Sequence, residues 1–127
     1  MATLSPKSLA QLATCHPDLQ RLIHEAALQF PMVVLEGKRT LERQTQLVAD
    51  GKSKTLASLH LTDPARALDF APDPIDWADT ARFYFCAGYL RGIAMKLGIA
   101  IRWGGDWDSD TNVAEERFKD LGHIELV

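Results

Sequence analysis

The sequence is poor in cysteine: Cys15 and Cys86 are the only two among 127 residues, far apart and not in a Cys-x-x-Cys pair. A disulfide scaffold is excluded, and a single bridge is the most the chain allows. The two read as buried thiols of a protein made in a reducing compartment. No stretch approaches the ~18 apolar residues of a membrane span. The N-terminal segment has no apolar run of the secretory kind. A cationic excess is also missing. Fourteen Lys and Arg stand against 17 Asp and Glu, a net charge of -3, which argues against a nucleic-acid binder. Histidine is scarce too, with four in the chain, so each has to be accounted for.

What is present is the composition of a globular domain, 46% hydrophobic and 24% charged. The length suits one domain able to bury about two-thirds of its unfolded surface. Ser5-Pro6 reads as a helix start, and that helix stops near Cys15-His16. Pro17 opens a second helix with Leu19, Leu22, Ile23, Ala26 and Phe30 on one face, ended by Pro31. The apolar run 32–35 predicts a buried strand. Thr40 caps a helix over 41–50 with Gly51 as its stop. Residues 51–66 read as loop and 67–71 as a second strand. Asp76 is the expected cap of the longest helix, which runs to Leu97 with Gly98 beyond it. A third strand is expected over 99–102, a polar Gly-rich loop over 103–112, a short helix over 113–118 and a last strand over 123–126. Helices and strands are interspersed, but several crossovers are loops. The expected class is therefore α+β, a small and mainly antiparallel sheet with flanking helices.

Two histidines sit near carboxylates. His60 follows a loop, and nine positions on Asp69 interrupts the apolar strand Ala67-Leu68-Asp69-Phe70. A buried carboxylate needs a partner, and a metal is one. Near the C-terminus, Asp120 precedes His123 by three positions, and strand alternation puts Glu125 on the same face as His123. Two histidines and one carboxylate would leave a fourth zinc position open, the catalytic pattern. A further carboxylate would serve as base. His16 and His24 read as a turn residue and a packed or surface residue. Trp103 and Trp107 flank Gly104-Gly105-Asp106, either as a cleft wall or as core. Asp106, Asp108, Asp110 and Asn112 alternate with other residues and offer oxygens of the kind Ca2+ takes. The order is not that of an EF-hand, since Thr111 and Arg117 stand where that loop has glycine and glutamate.

These segments resemble the zinc D-Ala-D-Ala carboxypeptidase (VanY-like) metallopeptidases, and among them the phage endolysins of the L-alanyl-D-glutamate peptidase type. Ser58, His60, Ala67 and Asp69 match a Ser-x-His-x-x-Gly-x-Ala-x-Asp motif. Asp120 and His123 match an acidic-x-x-His motif. The endolysin character shows in residues 37–44, in Gly51-Lys52-Ser53, in Ala71-Pro72 and in the run Arg102-Trp103-Gly104-Gly105-Asp106-Trp107, all in the expected order. One departure is plain: nine positions separate His60 from Asp69 where the motif has seven, and Asp63-Pro64 replace its glycine. A two-residue longer loop that keeps both ligands accounts for this, with Asp63 as the alternative carboxylate.

The resemblance implies a hedgehog/DD-peptidase-like fold, with residues 1–127 forming a single catalytic domain and no separate wall-binding domain. It implies one Zn2+ on His60, Asp69 and His123. Asp120 would be the base, with Glu125 as its competitor, and Arg39 would hold the oxyanion. Ser58 and Gln44 are expected near substrate or ligands, together with Trp103, Asp106, Trp107 and Glu125. Lys38, Arg43, Lys52 and Lys54 make a positive segment suited to the free carboxylates of stem peptides. The implied partner is peptidoglycan, cut by a monomer that is made in the host cytoplasm and acts after release. A D-Ala-D-Ala carboxypeptidase and a non-catalytic zinc-binding domain are the alternatives.

Overall fold

Local capping sets most helix ends. The computed structural model describes residues 3–53, 58–115 and 119–127. Ser5 caps α1 (Pro6–Leu12), its side chain accepting from the Ser8 amide. His16 caps α2 (Pro17–Ala27) through Nδ1, and Pro17 occupies the first turn. Phe30 lies past the end of α2 but still packs against the core. After β1 (Met32–Glu36), Thr40 caps α3 (Leu41–Ala49), and Gly51 follows with φ +73°.

The expected loop 51–66 contains a 3-10 turn, Leu59–Leu61, capped by Ser58. β2 covers Ala67–Pro72. The long helix α4 (Thr80–Leu97) starts later than expected. Asp76 spends its carboxylate on the Ala78 amide in a local turn, so Asp79 becomes the cap. Gly98, in the left-handed region, ends α4 as expected.

β3 is Ile101–Gly104, two residues beyond the expected strand, so Trp103 lies in a strand and not in a loop. Of the helix expected over 113–118, a 3-10 turn Val113–Glu115 is seen, while 116–118 and Lys54 lie outside the described residues. β4 (Asp120–Leu126) begins three residues earlier than expected. Gly122 does not break it; a Cβ there would stand 2.5 Å from the Phe70 carbonyl oxygen, so glycine lets two backbones close up.

The four strands form one antiparallel sheet in the order β1-β2-β4-β3. On one face of the sheet α4 packs against β2, β3 and β4 and α1 against β1, with α2 on α4; Val34, Leu68, Phe70, Trp103, Ile124 and Leu126 share one core with Leu19, Leu22, Ile23, Leu90 and Ala94. Helices thus cover one face of the sheet, as in an α+β domain. The other face carries the charged and imidazole side chains. Among the described residues no helix is long and apolar enough to cross a membrane.

Candidate active site

The register of the sheet assembles the open face. Asp69 in β2 pairs directly with His123 in β4, and Arg102 in β3 pairs with Glu125. A bulge at Leu35 shifts β1 by one residue, so that Glu36, and not Leu35, stands opposite Asp69. A second irregularity sets Gly104 against Asp120, although Trp103 pairs with Ile124. Strict alternation would send Asp120 and His123, three residues apart, to opposite faces. With the irregularity, both line one cleft of about 410 Å³ together with Glu36, Arg39, Ser58, His60, Asp69, Trp107 and Glu125.

His60 reaches the cleft from the 3-10 turn and is fully buried. The Arg39 amide donates to the His60 carbonyl at 2.7 Å, and His60 Nδ1 lies 2.6 Å from the Gly37 carbonyl. A carbonyl only accepts, so Nδ1 carries the proton and Nε2 presents its lone pair. Among the described residues that Nε2 is buried without a hydrogen-bond partner, 3.3 Å from Asp69 Oδ1. His123 Nδ1 is 3.2 Å from the same Oδ1, and its Nε2 is 2.9 Å from Glu125 Oε1.

These separations test the fit of a metal. Two ligand atoms about 2.05 Å from a tetrahedral zinc stand roughly 3.3 Å apart. Asp69 Oδ1 stands at nearly that spacing from both His60 Nε2 and His123 Nδ1, and the three residues form a group able to hold a metal ion. The outer nitrogens are engaged by Gly37 and Glu125, which fixes the rings as ligand histidines usually require. Asp63, the alternative carboxylate, is exposed and paired 2.8 Å from Lys38 Nζ, away from the group.

Charge and burial shape the protonation of the site. Burial by itself would raise the pKa of Asp69, but the His123 ring bonded to it, with the His60 ring close by, outweighs this and holds the group well below the usual carboxylate range. Burial disfavours the His123 imidazolium, yet Asp69 and Glu125 overcome this and push it up to about 9. Glu125 is lowered chiefly by its bond to His123. Asp120 moves the other way, raised by burial and by the nearby Asp69 charge. Its side chain makes no hydrogen bond among the described residues, which leaves it open to act on a cleft molecule.

Arg39 is buried and spends its donors on three side chains. Nε donates to Glu36, Nη1 to Gln44 at 2.7 Å and Nη2 to Asp69 Oδ2 at 3.0 Å. It is therefore first a clamp on Asp69. Fully buried Gln44 continues the chain to Ser53 Oγ at 2.8 Å. Ser58 caps the turn that carries His60, and Trp107 stands 5.4 Å from the His123 ring. Trp103 does not join the cleft: it faces the core, donates Nε1–H to the Leu121 carbonyl and packs on Tyr84, because the strand extends to Gly104. Asp106 is also buried away from the cleft, bonded to Arg91 and to the Thr111 amide. Glu36 and Gly37 were not singled out as site residues from the sequence. Only the bulge gives Glu36 its place, and Gly37 acts through a backbone oxygen.

A model of the phage L-alanyl-D-glutamate peptidase family matches residues 1–127, the whole chain. The chain belongs to this family. It is accordingly a peptidase of the peptidoglycan-degrading endolysin type. The L-alanyl-D-glutamate peptidase of Escherichia phage T5 is 34% identical over 128 residues, covering 92% of each chain. Among solved structures, the Serratia marcescens L-Ala D-Glu endopeptidase ChiX matches with a TM-score of 0.80 and 31% identity, over 98% of this chain and 90% of that one. The α+β architecture of the peptidase agrees with that match.

Proposed function

We propose that this chain hydrolyses the L-alanyl–D-glutamate bond of peptidoglycan stem peptides with one zinc ion held by His60, Asp69 and His123, and that it acts on the wall after release from the host cell. The observation that carries the zinc is the placing of Asp69 Oδ1 at tetrahedral spacing from a nitrogen of each histidine, with a buried His60 Nε2 that has no hydrogen-bond partner among the described residues. Bound zinc would acidify water and polarise the scissile carbonyl. Asp120 takes the proton from the attacking water and returns it to the leaving amine; its raised pKa suits a group that must both accept and donate. Arg39 holds Asp69 in place and borders the cleft where an oxyanion would form. Glu125 fixes the His123 ring with its proton on Nε2. An acid at Asp120 open to the cleft favours catalysis over a purely structural zinc site.

Mass spectrometry of digested peptidoglycan tests the bond. Fragments ending in L-alanine with a new D-glutamyl amine support the reading, whereas release of terminal D-alanine means a carboxypeptidase. A chelator should abolish turnover and added Zn2+ restore it. Metal analysis of His60→Ala, Asp69→Ala and Asp63→Ala tests the ligands: the first two should lose most of the metal and Asp63→Ala should keep it.

A second reading concerns the loop after β3. Asp106, Asp108 and Asp110 can bring carboxylate oxygens within 4.8 Å of one another, and Asp106 Oδ1 is buried without a hydrogen-bond partner among the described residues. We propose that this loop takes Ca2+, which prefers such oxygens. Calcium should raise the melting temperature of the zinc-loaded protein, and magnesium should not. Asp108→Asn with Asp110→Asn should remove the effect; a rise that survives this change would rule the site out.

A further inference from the structure

The cleft is rich in carboxylates for an enzyme whose proposed substrate is itself anionic. Glu36, Asp69, Asp120 and Glu125 all line it. Resting on the L-alanyl-D-glutamate reading, the substrate brings one more. A glutamyl residue joined through its amine and through one carboxyl keeps its second carboxyl free. That carboxylate needs a cation, because like charges at close range repel.

Three Lys and Arg side chains line the cleft, and two of them are already engaged. Arg39 is bound by Asp69 and Glu36, and Arg43 Nε lies 3.1 Å from Glu36 Oε2. Lys52 is the third, and it forms no ion pair among the described residues. Its position is also built. The Lys52 and Ser53 amides both donate to the Leu47 carbonyl, closing the end of α3 after Gly51 and turning the chain back along the cleft. Ser53 is then tied through Gln44 to Arg39 and so to Asp69. Lys52 is thus presented by a segment that hydrogen bonds link to the proposed metal ligand.

We propose that Lys52 is the specificity-determining residue for the free carboxylate of the D-glutamyl residue, and that the enzyme discriminates against stem peptides in which this carboxylate is a carboxamide. The flexible ammonium donates to the carboxylate oxygens as a charge-assisted contact. A neutral amide offers one weaker acceptor and leaves the ammonium uncompensated.

The test uses the zinc-loaded protein and two synthetic stem peptides that differ only in D-glutamate against its carboxamide. Wild type should favour the acid by about tenfold or more in kcat/KM, the size of one charge-assisted hydrogen bond. Lys52→Gln should abolish most of that preference by raising KM for the acid, with kcat little changed and the amide peptide unaffected. Lys52→Glu should reverse it. Lys38→Gln removes the same charge from a lysine held 2.8 Å from Asp63, and should keep the preference. Zinc content and melting temperature of each variant confirm that it is folded and loaded. A wild type that cleaves both peptides equally, or a Lys52→Gln that keeps the preference or loses activity on both alike, overturns this inference and leaves the proposed bond standing. A wild type that cleaves neither peptide overturns both.

Discussion

In the proposed mechanism, two carboxylates close to His123 in the chain have different tasks. Glu125 holds Nε2 at 2.9 Å, while Asp120, three residues earlier, reaches the same cleft with a side chain that makes no hydrogen bond among the described residues. The pKa shifts agree with this division: Glu125 is lowered, and so a poor proton carrier, whereas Asp120 is raised. We expect Asp120→Asn to keep its metal and fold while activity falls by at least ~100-fold. Glu125→Gln should retain measurable turnover but bind zinc ~10-fold or more weakly, as loss of a ring-orienting partner does. Metal content and wall hydrolysis, measured on both variants together, decide the matter; an active Asp120→Asn beside an inactive Glu125→Gln would make Glu125 the base.

At the scale of elements, the turn between β1 and α3 joins the sheet to the site. Gly37 donates its amide to Gln11 Oε1 at the end of α1 and lends its carbonyl to His60. A Cβ on Gly37 would lie 2.3 Å from Thr14 Oγ1, 2.6 Å from the Gln11 carbonyl oxygen and 2.8 Å from Cys15 Sγ. The Thr14 side chain can rotate, but the backbone carbonyl cannot yield without moving α1. Gly37→Ala should therefore cost roughly 1–3 kcal/mol, as overpacking does, and loosen zinc as well, because the carbonyl that orients His60 shifts. Gly88→Ala in α4 is the contrast. Among the described residues nothing outside the helix's own backbone stands within 4 Å of a Cβ there, and the helix should gain up to about 1 kcal/mol from the better helix former. Chemical denaturation of the two variants checks the signs, and equal effects would contradict the packing argument.

For the molecule as a whole, metal and protons compete for one face of the sheet. In protein stripped of metal, the His123 ring is charged up to about pH 9, held so by Asp69 and Glu125. Because its folded pKa lies above the ordinary 6.5, this contribution to stability is complete below pH 6.5 and is lost as the pH rises through about 9. Zinc requires the neutral ring, so binding must expel that proton. Zinc affinity should thus climb by up to ~10-fold per pH unit below about pH 9 and level off above it. Calorimetric titration in buffers of different ionisation enthalpy should find about one proton released near pH 7. No proton release would mean that His123 is not a ligand. Zinc should also raise the melting temperature, since only the folded chain brings the three donors together.

The residues of the candidate site were legible in the sequence because their chemistry is local and rare. A carboxylate inside Ala67-Leu68-Asp69-Phe70, a histidine at position 60 and Asp120-x-x-His123 narrow the choice by type and spacing, and the family resemblance orders them. Helix ends were legible wherever a cap competes with no other use of its side chain, as at Ser5, Thr40 and Gly98. Asp76 misled because its carboxylate closes its own turn. What the sequence could not decide is register. The bulge at Leu35 sets Glu36 against Asp69, the early start of β4 brings Asp120 beside His123, and two added residues in β3 turn Trp103 into the core. Each depends on which backbone groups pair across strands distant in sequence, and a shift of one residue sends a side chain to the other face of the sheet. Side-chain chemistry along the chain named the candidate atoms; hydrogen-bonded pairing of the strands chose which of them meet.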